Sequence, residues 1–101
     1  MARFDVHRGS GRGAAPFFLD VQANLLSGMT TRVVIPLVPV ARKKDRIAGL
    51  NLLVPIEGEV HVLLPELMAA TDRRSLGPVV TSLTDRHHEI VNAIDFLLQG
   101  F

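Results

Sequence analysis

Leu50-Asn51-Leu52-Leu53-Val54-Pro55-Ile56, Glu57-Gly58 and Glu59-Val60-His61-Val62-Leu63-Leu64 follow one another through the middle of the chain. Two apolar runs separated by two residues, the second a glycine, read as a tight β-hairpin. A two-residue hairpin turn needs positive φ, which glycine supplies without steric cost. His61 alternates with Val60 and Val62, so it lies on the opposite sheet face from them. The ordinary reading is a sheet-surface histidine; the sharper one is a ligand or catalytic group.

Upstream, the β pattern continues. Thr30 to Val38 is β-branched and apolar almost throughout, as a strand covered on both faces would be. Pro36 lacks an amide donor and marks a bulge, a strand end or an edge. Arg3-Phe4-Asp5-Val6-His7-Arg8 alternates polar and apolar residues, and Pro16-Phe17-Phe18-Leu19-Asp20-Val21-Gln22 is a second strand. The breaker cluster Gly9-Ser10-Gly11-Arg12-Gly13 between them predicts a hairpin with a long mobile tip. Ala23 to Met29 connects to the next strand and carries adjacent Leu25 and Leu26. Two leucines in a connector ordinarily tuck onto the core; the alternative is an exposed contact patch.

Downstream, Pro65 to Ala70 is ambiguous, Asp72-Arg73-Arg74-Ser75 is a polar loop, and Leu76 to Leu83 is a short strand with a Gly77-Pro78 break. Thr84 is placed to cap a helix whose first turn holds Asp85, where the dipole favours a carboxylate. Ile90, Ala93, Ile94, Leu97 and Leu98 fall at three-to-four spacing and form one apolar stripe, and Gly100 is placed as the stop. Six or seven short strands followed by one helix predict a mainly β fold. The expected form is a small rolled barrel carrying a C-terminal helix, as a single domain over residues 1–101.

The composition narrows the function classes. The chain has 101 residues, no cysteine, and a formal net charge of +1. Disulfides, thiolate chemistry and Cys-based metal sites are excluded, and so is nucleic-acid binding driven by bulk charge. The charged N-terminus carries no apolar signal segment, and the longest unbroken apolar run, Val33 to Ala41, falls well short of a membrane span. No membrane association is expected, and the expected compartment is the cytoplasm. Mean hydropathy is +0.29, high for a small protein with so much surface per residue. A spare apolar face, serving as a homodimer interface, accounts for it.

Chemistry is sparse. The one dense basic run, Ala41-Arg42-Lys43-Lys44-Asp45-Arg46, reads as a solvated loop, with a phosphate-contact patch as the alternative. It lacks interleaved aromatics for base stacking. His87-His88-Glu89 suggests a metal cluster, but adjacent helical residues point about 100° apart and neither histidine has a strong ligand one turn on. No cofactor or metal is expected. Arg73, Arg74, Asp85 and His87 contain the base, acid and cation of a metal-free ribonuclease, although nothing in their spacing requires convergence.

Asp20-Val21-Gln22 ending a strand, then Leu25-Leu26 and Arg32-Val33-Val34-Ile35-Pro36-Leu37, form an ordered series. It continues with Met68-Ala69, Leu83, Arg86, Asn92-Ala93-Ile94 and a penultimate Gly100. Together these resemble the CcdB family, plasmid and chromosomal toxins of toxin–antitoxin pairs. The match runs from about Phe4 to Phe101 and is thin between Val38 and Leu50.

The resemblance implies an SH3-like rolled antiparallel barrel with a small additional sheet and one long C-terminal α-helix, assembled as a homodimer. It implies a non-enzymatic toxin serving plasmid maintenance. Such a toxin binds the A subunit of DNA gyrase, traps the cleaved-DNA complex, and is neutralised by a CcdA-like antitoxin whose disordered segment folds on it. The gyrase-binding residues it implies are Leu25, Leu26, Asp95, Leu98, Gln99, Gly100 and Phe101. Leu25 and Leu26 keep the aliphatic pair, and Gly100 matches. Asp95 stands for an asparagine, Leu98 for an aromatic, Gln99 for a tryptophan and Phe101 for an isoleucine. The fold also looks like that of ribonuclease toxins of the MazF/Kid group, so the alternatives are a metal-free endoribonuclease and a decayed, non-toxic homologue that only holds the antitoxin.

Overall fold

The computed structural model describes residues 2–9 and 15–100; the glycine-rich tip expected after Gly9 and the terminal Phe101 lie outside them. The described strands are β1 (Asp5–Arg8), β2 (Phe17–Asp20), β3 (Thr31–Pro39), β4 (Leu53–Ile56), β5 (Glu59–Leu63), β6 (Ala69–Asp72) and β7 (Val79–Ser82). One α-helix, α1 (His87–Gln99), follows. The fold is mainly β, a curled antiparallel half-barrel sheet with a C-terminal helix. The sheet runs β4-β5-β3-β2-β1-β7, and β6 joins it as a branch on β3, where a small additional sheet is expected.

β3 organises the sheet. One edge pairs with β2, from Asp20↔Val34 to Phe17↔Leu37. The other edge is shared: Thr31 to Val34 pair with β6, and Leu37 to Pro39 pair with β5. The chain leaves β5, makes a 3-10 turn over Pro65–Leu67, and returns to the same edge as β6. Pro36 sits in the seam between them. A residue's N and O project to the same side of a strand, and the Pro36 carbonyl accepts from Leu64 N at 3.0 Å. Its missing N–H therefore faces the seam and removes no ladder bond.

The central hairpin closes as its sequence predicts. Ile56 pairs with Glu59, and Glu57 (φ 52°) and Gly58 (φ 81°) both take positive φ, the geometry of a type I′ turn. His61 corrects the alternation reading. It does face away from Val60 and Val62, but it is buried, edge-on to the Phe17 ring at 5.0 Å, with Nδ1 donating to the Glu59 carbonyl at 2.9 Å. Both faces of β5 are covered in this stretch. Leu63 packs in the main core with Leu37, Val54 and Ile56, whereas Val62 and Leu64 pack with Val38 in a second, smaller cluster.

The helix start also differs from expectation. Thr84–Arg86 form a 3-10 turn without a side-chain cap, and α1 begins only at His87. The Thr84 hydroxyl is drawn to Ser82 Oγ at 2.8 Å, and Arg86 anchors the start instead. Its guanidinium forks onto Glu89 at 3.0 and 2.8 Å and donates to the Leu53 carbonyl at 2.6 Å. Ile90 and Ala93 are buried and Ile94 packs against the core. Leu97 and Leu98 keep the predicted helical spacing but lie exposed. Gly100 ends the helix in the left-handed conformation (φ 82°), its N–H donating to the Phe96 carbonyl at 2.9 Å. No helix among the described residues is long and apolar enough to cross a membrane.

Candidate functional site

The connector between β2 and β3 folds as a 3-10 turn over Asn24–Leu26. Its leucines do not tuck onto the core. Leu25 is 95% exposed, and Leu26 and Met29 are each 47% exposed. A leucine so nearly bare is costly to keep in water, by about 1.5–3 kcal/mol relative to burial. The turn that carries it is nevertheless well tied. Leu26 N donates to the Ala23 carbonyl, Ser27 N to the Asn24 carbonyl, and Met29 N to the Leu26 carbonyl.

Neighbouring elements add struts. Gln22, buried two residues past β2, donates from Nε2 to the Leu26 carbonyl at 3.1 Å and accepts at Oε1 from Val33 N at 3.1 Å. Gln22 N donates to Asp20 Oδ1 at 3.0 Å. Asp20 Oδ2 accepts from Arg32 Nε at 2.7 Å, and both side chains are fully buried. Arg32 Nη2 approaches the same oxygen at 2.6 Å off the hydrogen-bond axis, and Nη1 has no acceptor among the described residues. Arg3 N donates to Asn24 Oδ1 at 2.8 Å. Arg73 Nη1 reaches the carbonyls of Ser27 and Met29 at 3.2 and 3.4 Å.

The second group of predicted residues ends α1. Asp95 is half-buried, and Leu98, Gln99 and Gly100 are exposed, Leu98 by 67%. Phe101 lies outside the described residues. Among the described residues no hydrogen bond, ion pair or ring contact joins this tip to the Leu25 turn.

The ribonuclease candidates do not converge. Arg73 is committed to the turn carbonyls, and Arg74 is bound to Asp72 at 2.9 Å. His87 Nδ1 donates to the Thr84 carbonyl at 2.8 Å, its ring 4.0 Å from that of His88. Among the described residues nothing hydrogen-bonds or ion-pairs Arg73 or Arg74 to Asp85 or His87. The Arg74 hydrogen bonds hold the Asp72 carboxyl down at about 2, and Asp72 in turn raises Arg74. The Arg86 hydrogen bond likewise lowers Glu89. These are ion-pair shifts, not the raised carboxyl or lowered amine of a general acid or base. No group of three or more His, Asp or Glu among the described residues is placed to hold a metal.

The model of the family described as "CcdB protein" matches residues 3–100. The chain belongs to the CcdB family. It is thereby placed among the toxins of toxin–antitoxin pairs. No curated protein matches it in sequence. Solved structures with a similar fold include a mycobacterial endoribonuclease in complex with its cognate antitoxin (TM-score 0.78, 18% identity, covering 97% of this chain and 94% of that one). A second mycobacterial endoribonuclease gives a TM-score of 0.76 at 16% identity, covering 97% of this chain and 90% of that one. At such identities the likeness is one of fold. CcdB membership and an endoribonuclease-like scaffold thus coincide in one chain.

Sequence reasoning named Leu25 and Leu26 but missed the residues that hold them. Asp20 and Gln22, polar at alternate positions of a strand end, carried a signal: both had to find partners or solvent. Arg73 was read as a candidate cation for phosphate, and its carbonyl partners are more than forty residues away in sequence.

Proposed function

We propose that this CcdB-family toxin binds the A subunit of DNA gyrase and traps the enzyme while its DNA is cleaved, with no covalent step of its own. The observation that carries the reading is Leu25, a large apolar side chain almost wholly in solvent on a turn braced from several sides. Exposed apolar groups on rigid supports are anchors for protein partners. A ligand that prefers one state of a cycling machine shifts its population toward that state, so docking alone suffices to stall it. Leu98, Gln99 and Gly100 form a second exposed element at the helix tip. Exposed Leu97 and Leu98 also support a homodimer. A CcdA-like antitoxin is the expected neutralising partner.

The test is purified protein added to gyrase, plasmid DNA and ATP, with linear DNA scored after denaturation. Linear product is expected, and its loss in Leu25→Asp. Gyrase that turns over undisturbed would sink the reading.

The shared scaffold with endoribonucleases favours a second reading, a metal-free ribonuclease built on Arg73, Arg74, Asp85 and His87. The commitments of Arg73 and Arg74 to other partners count against it. Specific cleavage of single-stranded RNA, lost in His87→Ala, would establish it; RNA left intact dismisses it.

A further inference from the structure

We infer that Gln22, assisted by Arg3 and Arg73, is a positioning residue that presents Leu25 as a preformed anchor to an apolar pocket on gyrase A. The inference rests on the reading of Leu25 as a gyrase contact and goes beyond it to the residues that make that contact effective.

Gln22 occupies a buried position where an apolar side chain of similar volume would pack without needing partners. Its amide is bonded at both ends, to Val33 N in β3 and to the Leu26 carbonyl in the turn. One side chain thus ties the turn to the central strand. Its main-chain N–H rests on Asp20, which is itself locked to Arg32 inside the protein. The exposed turn carbonyls do not need these donors, since water satisfies them equally well. What the donors supply is a fixed geometry.

Arg3 and Arg73 complete the brace. Arg3 also donates from Nε to the Val21 carbonyl at 3.1 Å while its main-chain N–H holds Asn24. Arg73 N donates to the Thr30 carbonyl at 2.9 Å, so its guanidinium reaches Ser27 and Met29 from a fixed base. The turn is thereby gripped at Asn24, Leu26, Ser27 and Met29. No grip uses the Leu25 side chain, which is left bare for a partner. A loop already ordered before binding loses little freedom on docking, which lowers the cost of association.

A double-mutant cycle tests this on the purified full chain, with gyrase A affinity as the readout. Gln22→Met is expected to weaken binding about tenfold beside native Leu25, and by less than about twofold in a Leu25→Ala background. Amides of residues 24–29 should exchange roughly tenfold faster in Gln22→Met, while Leu37 in β3 keeps its rate. Arg73→Gln, at a half-buried site, should show the same pattern and serves if Gln22→Met does not fold. Equal losses in both backgrounds, or unchanged exchange in the turn, would overturn the positioning role and leave the contact surface standing. Undiminished affinity in Leu25→Ala alone would overturn the contact surface itself, and this role with it.

Discussion

Arg32 Nε donates to Asp20 Oδ2 at 2.7 Å with both side chains at zero exposure, a sealed charge pair one residue, Gln22, removed from the turn that carries Leu25. Asp20 accepts from Gln22 N, and Gln22 in turn bonds the Leu26 carbonyl, so this pair is linked to the proposed contact surface as well as buried inside the fold.

Arg32→Met leaves the Asp20 carboxylate buried without its cation. The expected cost is about 3–5 kcal/mol, a large part of the roughly 5–15 kcal/mol that holds a domain of this kind together. Joint replacement, Asp20→Leu with Arg32→Met, should cost less than the two single changes added, because no stranded charge remains. Urea denaturation of the three variants measures both quantities. A single-mutant cost under about 1 kcal/mol would show that the pair is only a bystander.

The buried pair also shows where sequence reading stops. The hairpin over β4 and β5 was legible because Glu57-Gly58 is a local signal for a local turn, and Gly100 announced the helix end for the same reason. Asp20 and Arg32 meet only through the β2–β3 register, which no local pattern specifies. Alternation assigned His61 to the correct face of β5 but not its burial, since burial depends on what packs over that face. Leu25 and Leu26 look like core residues by type; that Leu25 faces out follows from the path of its turn, which is fixed by bonds to residues distant in sequence. Thr84 lost its capping role to a nearby competitor, Ser82. Leu97 and Leu98 continue the helical stripe past the point where the core beneath it ends.

Gly77 is fixed by close approach. A Cβ there would lie 2.7 Å from the Arg8 carbonyl oxygen and 3.3 Å from Arg8 Cβ, with backbone on one side and no flexible group to yield. Gly77 N donates to that same carbonyl at 2.8 Å, and the Gly77 carbonyl accepts from His7 Nδ1 at 2.9 Å. Gly77→Ala must push β7 away from β1 and loosen the His7 bond. The expected loss is about 1–3 kcal/mol, or roughly 5–20 °C in Tm for a chain of this size. Gly28→Ala is the control: nothing lies within 4 Å of its added carbon, and its Tm should hardly move.

Asp72 gives a pH dependence whose direction follows from its partner. Hydrogen bonds from Arg74 hold its carboxyl at about 2, below the ordinary value near 4. The folded state therefore binds this proton less readily than the unfolded chain. The stabilisation is fully present above about pH 4 and is lost as pH falls toward 2. Asp72 Oδ1 also accepts from Arg74 N at 2.8 Å, capping the 3-10 turn Arg73–Ser75. The turn that carries Arg73 should thus be indifferent to pH near neutrality. An NMR titration should find the Asp72 midpoint near 2, and Arg74→Ala should move it toward 4. A midpoint of about 4 in the unaltered protein would contradict the pairing.

Gln99 is exposed on the last turn of α1, beside Leu98, at the position where the family resemblance implies a tryptophan. Asp95 lies one turn earlier on the same side, so the tip offers a carboxylate, an amide and one bare leucine. Gln99→Trp adds a flat apolar surface able to stack on a cationic partner group, while the helix stop at Gly100 is untouched. An added aromatic anchor of this kind is worth about 2 kcal/mol, roughly thirtyfold in affinity. Gyrase A should bind the variant more tightly by that order, and less protein should be needed to yield linear plasmid. Removal of the chain from Gln99 onward should abolish growth arrest, and Tm should change little because Gln99 and Gly100 are exposed. If the tryptophan brings no gain and the shortened chain stays fully toxic, the helix tip takes no part in docking, and the contact surface must be sought around Leu25 alone.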